Sequence, residues 1–178
     1  NRHPRVNILQ PGAGVGGHCI AVDPWFIVDT TPNEARIIRT AREVNDHKPE
    51  WVLEKVKAAI ADCLAQKPCS TMADIKVACL GLAFKADIDD LRESPAVEIT
   101  QHIAQLGCQV LAVEPNIETL PEKLGKANLR LGSLTDVLST ADVLCVLVKH
   151  REFVAGRESI AGHSRVVDSV GLLSWSFI

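Results

Sequence analysis

The stretch IKVACLGLAFKADIDDLRESPAVEITQHIAQLGCQVLAVEP, residues 75–115, decides the fold. Its ends, IKVACLGLAF and CQVLAVEP, are short apolar runs. Between them SPAVEITQHIAQLG is amphipathic, with Gly107 placed to end a helix and feed the next strand. The alternation continues through a polar stretch, then ADVLCVLVK, then SRVVDS. Strands alternating with helices imply an α/β class with a parallel sheet covered on both faces. The near-uniform hydrophobicity of VLCVLV suits a central strand buried on both sides. Ser133 fits an N-cap for LTDVLST.

Upstream the period is helical. Asn33 or Thr31 can cap a helix through EARIIRTAREVND, where Ile37, Ile38, Ala41 and Val44 recur at helical spacing. Pro49 then kinks that helix or opens a second one. From Trp51, the residues Val52, Val56, Ala59, Ile60, Cys63 and Leu64 continue an apolar stripe, so about ten turns of near-continuous helix precede KPCST. A helix of that length joins domains or pairs subunits.

The composition narrows the function classes. The chain has 178 residues, 47% of them hydrophobic, enough for a real core, and its formal net charge of -3 offers no basic stripe for nucleic acid. No stretch is long and apolar enough to cross a bilayer. The six cysteines form no C-x-x-C pair, and Cys79 and Cys145 sit inside apolar runs, which points to a reducing, cytoplasmic setting. No metal site emerges, since the histidines lack ligand spacing. The chain starts at Asn1 without a signal-peptide pattern and reads as a piece of a longer protein.

Two stretches carry the candidate chemistry. In PGAGVGGHCIAVD, residues 11–23, Gly12, Gly14 and Gly17 have the G-x-G-x-x-G spacing of a dinucleotide-binding turn. Such a turn needs a real strand before it and an acidic residue about twenty positions on; only the short VNIL precedes it, and Asp23 comes too early. The alternative is that the glycines bring backbone close to a ligand beside Cys19, whose thiolate a following helix start would favour. Asp23, four residues on, would share a helix face with Cys19 and could order a water. The competing reading is a buried cysteine in a Gly-rich turn. The second stretch is GLAFKADIDDLRESPA, residues 81–96, at the carboxyl edge of the first strand, where α/β sheets bind ligands. Lys85 and Arg92 make it a phosphate loop, or they merely pair with the surrounding Asp87, Asp89, Asp90 and Glu93. Glu114, ending QVLAVEP, stands where a dinucleotide fold keeps its ribose ligand.

Together, GAGVGGHCIAVDPWF and GLAFKADIDDLRESPA, in that order and at that separation, resemble the UDP-glucose/GDP-mannose dehydrogenase family over nearly the whole chain, and only the C-terminal half of that family. The resemblance implies a Rossmann-like, doubly wound parallel sheet after a long connecting helix. Residues 1–30 would be the end of the catalytic segment with the nucleophile loop. Residues 31–68 would be the connecting helix that pairs two copies in a homodimer, and 69–178 the UDP-sugar-binding domain. It implies NAD as cofactor, bound by an N-terminal half absent here, and a UDP-sugar as substrate. The sugar C6 alcohol would pass to an aldehyde, a cysteine thiohemiacetal, a thioester and finally the acid. Cys19 matches the nucleophile and Asp23 the aspartate that assists water. Phe84 and Lys85 match the pair holding the nucleotide, and Arg92 the arginine reaching the cofactor. His3, Arg5 and Gly16 match substrate contacts. The chain departs from the family at Val22, where a lysine is usual, and after the last strand, where Val170 replaces a basic residue. With the family's catalytic lysine and NAD turn upstream of Asn1, this chain alone is expected not to turn over.

Overall fold

The computed structural model describes residues 10–125 and 128–173. Five parallel strands, β1 (Lys76–Leu80), β2 (Gln109–Val113), β3 (Leu129–Leu131), β4 (Val143–Val146) and β5 (Val166–Asp168), form one sheet in the order β3-β2-β1-β4-β5. The chain winds outward from β1 on one side and returns to the other side through β4, which is the doubly wound arrangement expected from the alternating pattern.

Period-two alternation along the strands sends successive residues to opposite faces. Val77, Cys79, Val110, Ala112, Val143 and Cys145 share one buried cluster with helices α3 (Lys48–Gln66) and α4 (Pro95–Gln105). Ala78, Leu80, Leu111, Val113, Leu144 and Val146 share the other with α5 (Leu134–Thr140), α6 (Arg151–Ala155) and α7 (Arg157–Ala161). All four residues of β4 are buried, which is why VLCVLV carries no polar alternation. Gly107 follows α4 at φ +91°, the left-handed conformation that lets the chain leave the helix for β2. Ser133 accepts a hydrogen bond from Asp136 N–H at 3.2 Å, capping α5.

The long helical region is two helices, α2 (Arg36–Asp46) and α3, joined at His47, which is itself near helical at φ -77°, ψ -14°. Pro49 is the cause, because it has no N–H to return to the carbonyl of Asn45. Neither Thr31 nor Asn33 caps α2. Its first turn follows Ala35, and the Thr31 hydroxyl instead donates back to Ile27 O at 2.9 Å at the end of a further helix, α1 (Asp23–Thr30). The stripe Val52, Val56, Ile60 and Cys63 on α3 is fully buried against the sheet and α4. At about 1.5–3 kcal/mol for each large aliphatic side chain buried, this helix is a structural layer of the sheet domain. On α1 and α2, by contrast, Phe26, Ile27, Ile37 and Val44 stay exposed, Ile37 at 84%.

Candidate functional site

A cleft of about 660 Å³ opens at the carboxyl ends of β1 and β4, where the winding direction reverses. Ligands of doubly wound sheets bind at this place because neighbouring loops diverge there and leave a crevice. Phe84 and Lys85 line it from the β1 side, Val148 and Lys149 from the β4 side, and the glycine loop with Ile20 forms the remaining wall. Gly81, at φ +95°, lets β1 turn out of the sheet; a Cβ there would stand 2.4 Å from the Val148 side chain.

The glycines answer to this chain's own residues. A Cβ on Gly16 would lie 2.1 Å from the Glu93 carbonyl oxygen, one on Gly17 3.0 Å from the Phe84 ring, and one on Gly14 3.0 Å from Pro95. The loop is therefore laid backbone-first against the 84–95 segment. Helix α2 holds it from behind, where Asn45 Oδ1 accepts the Val15 N–H at 2.8 Å and Asn45 Nδ2 donates to Val15 O at 3.4 Å. Arg42 NH1 donates to Ile20 O at 3.4 Å, and Asp46 accepts from both Arg42 and Asn45. Among the described residues no helix opens at these glycines, as a dinucleotide turn requires; the first helix, α1, begins at Asp23.

Cys19 follows on an exposed turn. Its carbonyl accepts the N–H groups of Val22 at 3.1 Å and Asp23 at 2.8 Å, so Asp23 begins α1 one helical turn beyond it. Pro24 does not disturb this, because the second helical position needs no N–H partner. Cys19 and Asp23 are both open to solvent; Ile20 lies on the cleft wall, whereas Cys19 and Asp23 do not line the cleft.

The turn after β1 is fixed from inside. Glu114, buried at the end of β2, accepts the backbone N–H groups of Leu82 at 2.7 Å and Ala83 at 3.0 Å on Oε2. Its Oε1 accepts from the backbone and side chain of Asn116. His150, equally buried, lies 3.0 Å from Oε2 through Nε2, while its Nδ1 accepts the Asp87 N–H at 2.9 Å. The proton is thus on Nε2 and is donated to Glu114. Burial alone pushes the Glu114 carboxyl up, but the bonds from His150, Leu82 and Ala83 outweigh it and hold the group at about 2. In a dinucleotide-binding sheet the N–H groups after the first strand face a pyrophosphate; here the chain's own carboxylate takes them.

Of the two cations on this loop, Arg92 is paired. Its guanidinium grips the Asp90 carboxylate through Nε at 3.0 Å and NH2 at 2.6 Å, and those bonds hold Asp90 at about 2. It stands over a separate groove with Ile117 and Pro121. Asp87 turns instead to Arg151, whose N–H it accepts at 2.9 Å. Among the described residues no carboxylate lies within ion-pair distance of Lys85. Arg92 therefore has a local carboxylate partner, and Lys85 has none among the described residues.

His3 and Arg5 lie outside the described residues, as does VNIL. Lys149, Asn45, Arg42 and His150 are additional residues of the site. Lys149 was reachable from sequence, since it follows the most apolar strand; its Nζ donates to Gly171 O at 3.1 Å on the cleft rim. Among the described residues no group of three His, Cys, Asp or Glu is placed to hold a metal, and no helix is long and apolar enough to cross a membrane.

The UDP binding domain of the UDP-glucose/GDP-mannose dehydrogenase family matches residues 78–174, and the central domain of that family matches residues 1–47. The chain is 58% identical over 173 residues to the UDP-N-acetyl-D-mannosamine dehydrogenase of Escherichia coli (strain K12), covering 97% of this chain and 41% of that protein. It is 60% identical over 156 residues to the protein of the same name from Campylobacter jejuni, 86% of this chain and 36% of that one. The solved UDP-N-acetyl-mannosamine dehydrogenase of S. aureus superposes with a TM-score of 0.70 at 34% identity, over 99% of this chain and 39% of that one. The chain spans about two-fifths of the length of these relatives.

Proposed function

The chain belongs to the UDP-glucose/GDP-mannose dehydrogenase family, and from that membership and the cleft we propose that it carries the nucleophile and the UDP-sugar-binding part of an NAD-dependent UDP-N-acetyl-D-mannosamine 6-dehydrogenase serving surface polysaccharide synthesis. The observation that carries the reading is Lys85, free of carboxylates among the described residues, beside Phe84 in a cleft whose opposite wall runs into the Cys19 turn. Lys85 and Lys149 meet the diphosphate and Phe84 the nucleoside.

In this reading the Cys19 sulfur attacks the C6 aldehyde while its proton passes to the carbonyl oxygen, and the resulting thiohemiacetal keeps the aldehyde from being released. After oxidation to the thioester, Asp23 takes a proton from the water that attacks the acyl carbon, and the thiolate leaves. His3 and Arg5 add substrate contacts, and Gly16 keeps the loop low enough for the sugar to pass. NAD supplies the hydride acceptor when bound, but the described residues do not build a site for it. The donors after β1 belong to Glu114 and the glycines to the 84–95 segment, while Arg92, exposed beside Asp90, is the residue proposed to reach the cofactor from this chain. We therefore assign NAD to a part of the relatives that this chain does not span.

The domain division proposed is 1–30 for the nucleophile segment, 31–68 for the connecting helices, of which α3 also covers the sheet, and 69–178 for the nucleotide-sugar domain, with α2 pairing two copies through Ile37 and Val44. A second reading, favoured by the way Glu114 takes the donors after β1 and the 84–95 segment takes the glycines among the described residues, is that this chain by itself binds the nucleotide sugar and performs no chemistry.

Calorimetric titration with UDP and, separately, NAD tests the proposal. UDP should bind, Lys85→Ala should weaken it about tenfold, as expected for one charged contact to phosphate, and NAD should give no heat. NAD binding without UDP binding overturns it.

A further inference from the structure

We infer that Glu114, locked by His150, is a positioning residue that presents Phe84 and Lys85 to the cleft by standing in for a bound phosphate at the turn after β1. The inference rests on the proposed function only for the identity of the ligand.

The geometry carries it. Residues 81–94 run from β1 to α4 as a long irregular segment, which costs conformational entropy to hold in one shape. Phe84 and Lys85 sit immediately after the two N–H groups that Glu114 accepts. The far side of the segment is held by the Ser94 hydroxyl donating to Leu82 O at 2.6 Å and by Phe84 N–H donating to Asp90 O at 3.2 Å. Leu82 is thus fixed through both its N–H and its carbonyl, by Glu114 and Ser94. His150 connects the same carboxylate to Asp87 N–H, at φ +61° for Asp87, so one buried pair sets two points of the loop. Glu114 and His150 do not line the cleft; they act through the backbone. A buried carboxylate is a costly way to fill space unless its bonds matter.

Glu114→Ala removes the acceptor for both N–H groups, whereas Glu114→Gln keeps a carbonyl oxygen that reaches them. The 178-residue chain should bind UDP about tenfold more weakly as the Ala variant, because the binding-competent loop is then a minor state, and within about threefold of wild type as the Gln variant. Amide exchange should accelerate at Leu82 and Ala83 in Glu114→Ala while β1 and β2 stay protected. If Glu114→Ala does not fold, His150→Ala removes only the second hold and should weaken UDP by about threefold. Unchanged UDP affinity in Glu114→Ala, or in His150→Ala where the first variant does not fold, or amides at 82 and 83 that stay protected without the carboxylate, overturns the inference. A wild-type chain that does not bind UDP overturns instead the proposed function, and with it the ligand named here; the exchange experiment still decides the hold on the loop.

Discussion

Gly16 packs backbone to backbone on Glu93, so close that any side chain would stand 2.1 Å from the Glu93 carbonyl oxygen. Its neighbour Gly12 meets only Val170 Cγ1, at 3.8 Å. Gly16→Ala must therefore displace one of two backbones and should cost about 2 kcal/mol, while Gly12→Ala should stay within about 0.5 kcal/mol of wild type. Urea denaturation of the two variants checks this, and equal effects would refute the contact.

Asn45 is the hinge-side anchor of the same loop, both accepting from and donating to Val15. Asn45→Ala should lower stability by about 1 kcal/mol and leave the Val15 N–H unpaired. With the loop loosened, iodoacetamide should modify Cys19 faster than in wild type, and Cys69, the other exposed thiol, at its original rate. Peptide mapping by mass spectrometry separates the two.

If Cys19 is the nucleophile, Cys19→Ser in the full-length enzyme abolishes acid formation. Asp23→Asn should slow release of the acyl group by about a hundredfold or more, as expected when a proton acceptor is lost. The intact mass would then show substrate-derived mass accumulating on the enzyme. Acid formation at the wild-type rate by either variant removes that residue from the mechanism.

The acid limb of stability should report on Glu114. Its carboxyl sits at about 2 in the fold against 4.5 as an unperturbed group. A depressed value contributes stability that is present above 4.5 and is lost as pH falls through about 2, amounting to about 3 kcal/mol at 1.36 kcal/mol per unit. Denaturation midpoints between pH 6 and pH 2.5 should fall more steeply in wild type than in Glu114→Gln. Parallel slopes would show that the buried carboxylate does not drive the loss.

Ile37, 84% exposed on α2, is the most open large apolar side chain described. If the α2 face pairs two copies, Ile37→Glu should convert a dimer into a monomer in sedimentation velocity without lowering thermal stability of the sheet domain. A wild-type monomer, or a dimer indifferent to the change, counts against that pairing.

Much of this architecture was legible from local pattern. VLCVLV could only be a strand buried on both faces, Gly107 a helix exit and Ser133 a cap, because each depends on neighbours in sequence. A helix start behind Cys19 was open from sequence, but its run to Thr30 was not, since Pro24 sits inside it and is tolerated there only because it falls at the second helical position. β3 is three residues long, too short for alternation to register within a polar stretch. The stripe of α3 was visible, but what it covers was not: periodicity gives a face and no partner. At the site, Cys19, Phe84 and Lys85 stood out by motif. The partner of Gly16 lies 77 positions away at Glu93, and the grip of Arg92 on Asp90 depends on rotamers that spacing does not specify.

The break at Pro49 has a mechanical side. α3 is bonded into the sheet layer, α2 carries Asn45 and thereby the glycine loop, and the two meet at His47. Bending at that joint would swing the Cys19 turn relative to Lys85, except that Gly16 is already in backbone contact with Glu93 across the gap. The joint is braced like a strut on a hinge. The approach of the glycine loop to the 84–95 segment is consequently set where main chain meets main chain, and in the proposed reading a nucleotide sugar anchored at Lys85 has to span what that contact leaves open to reach Cys19.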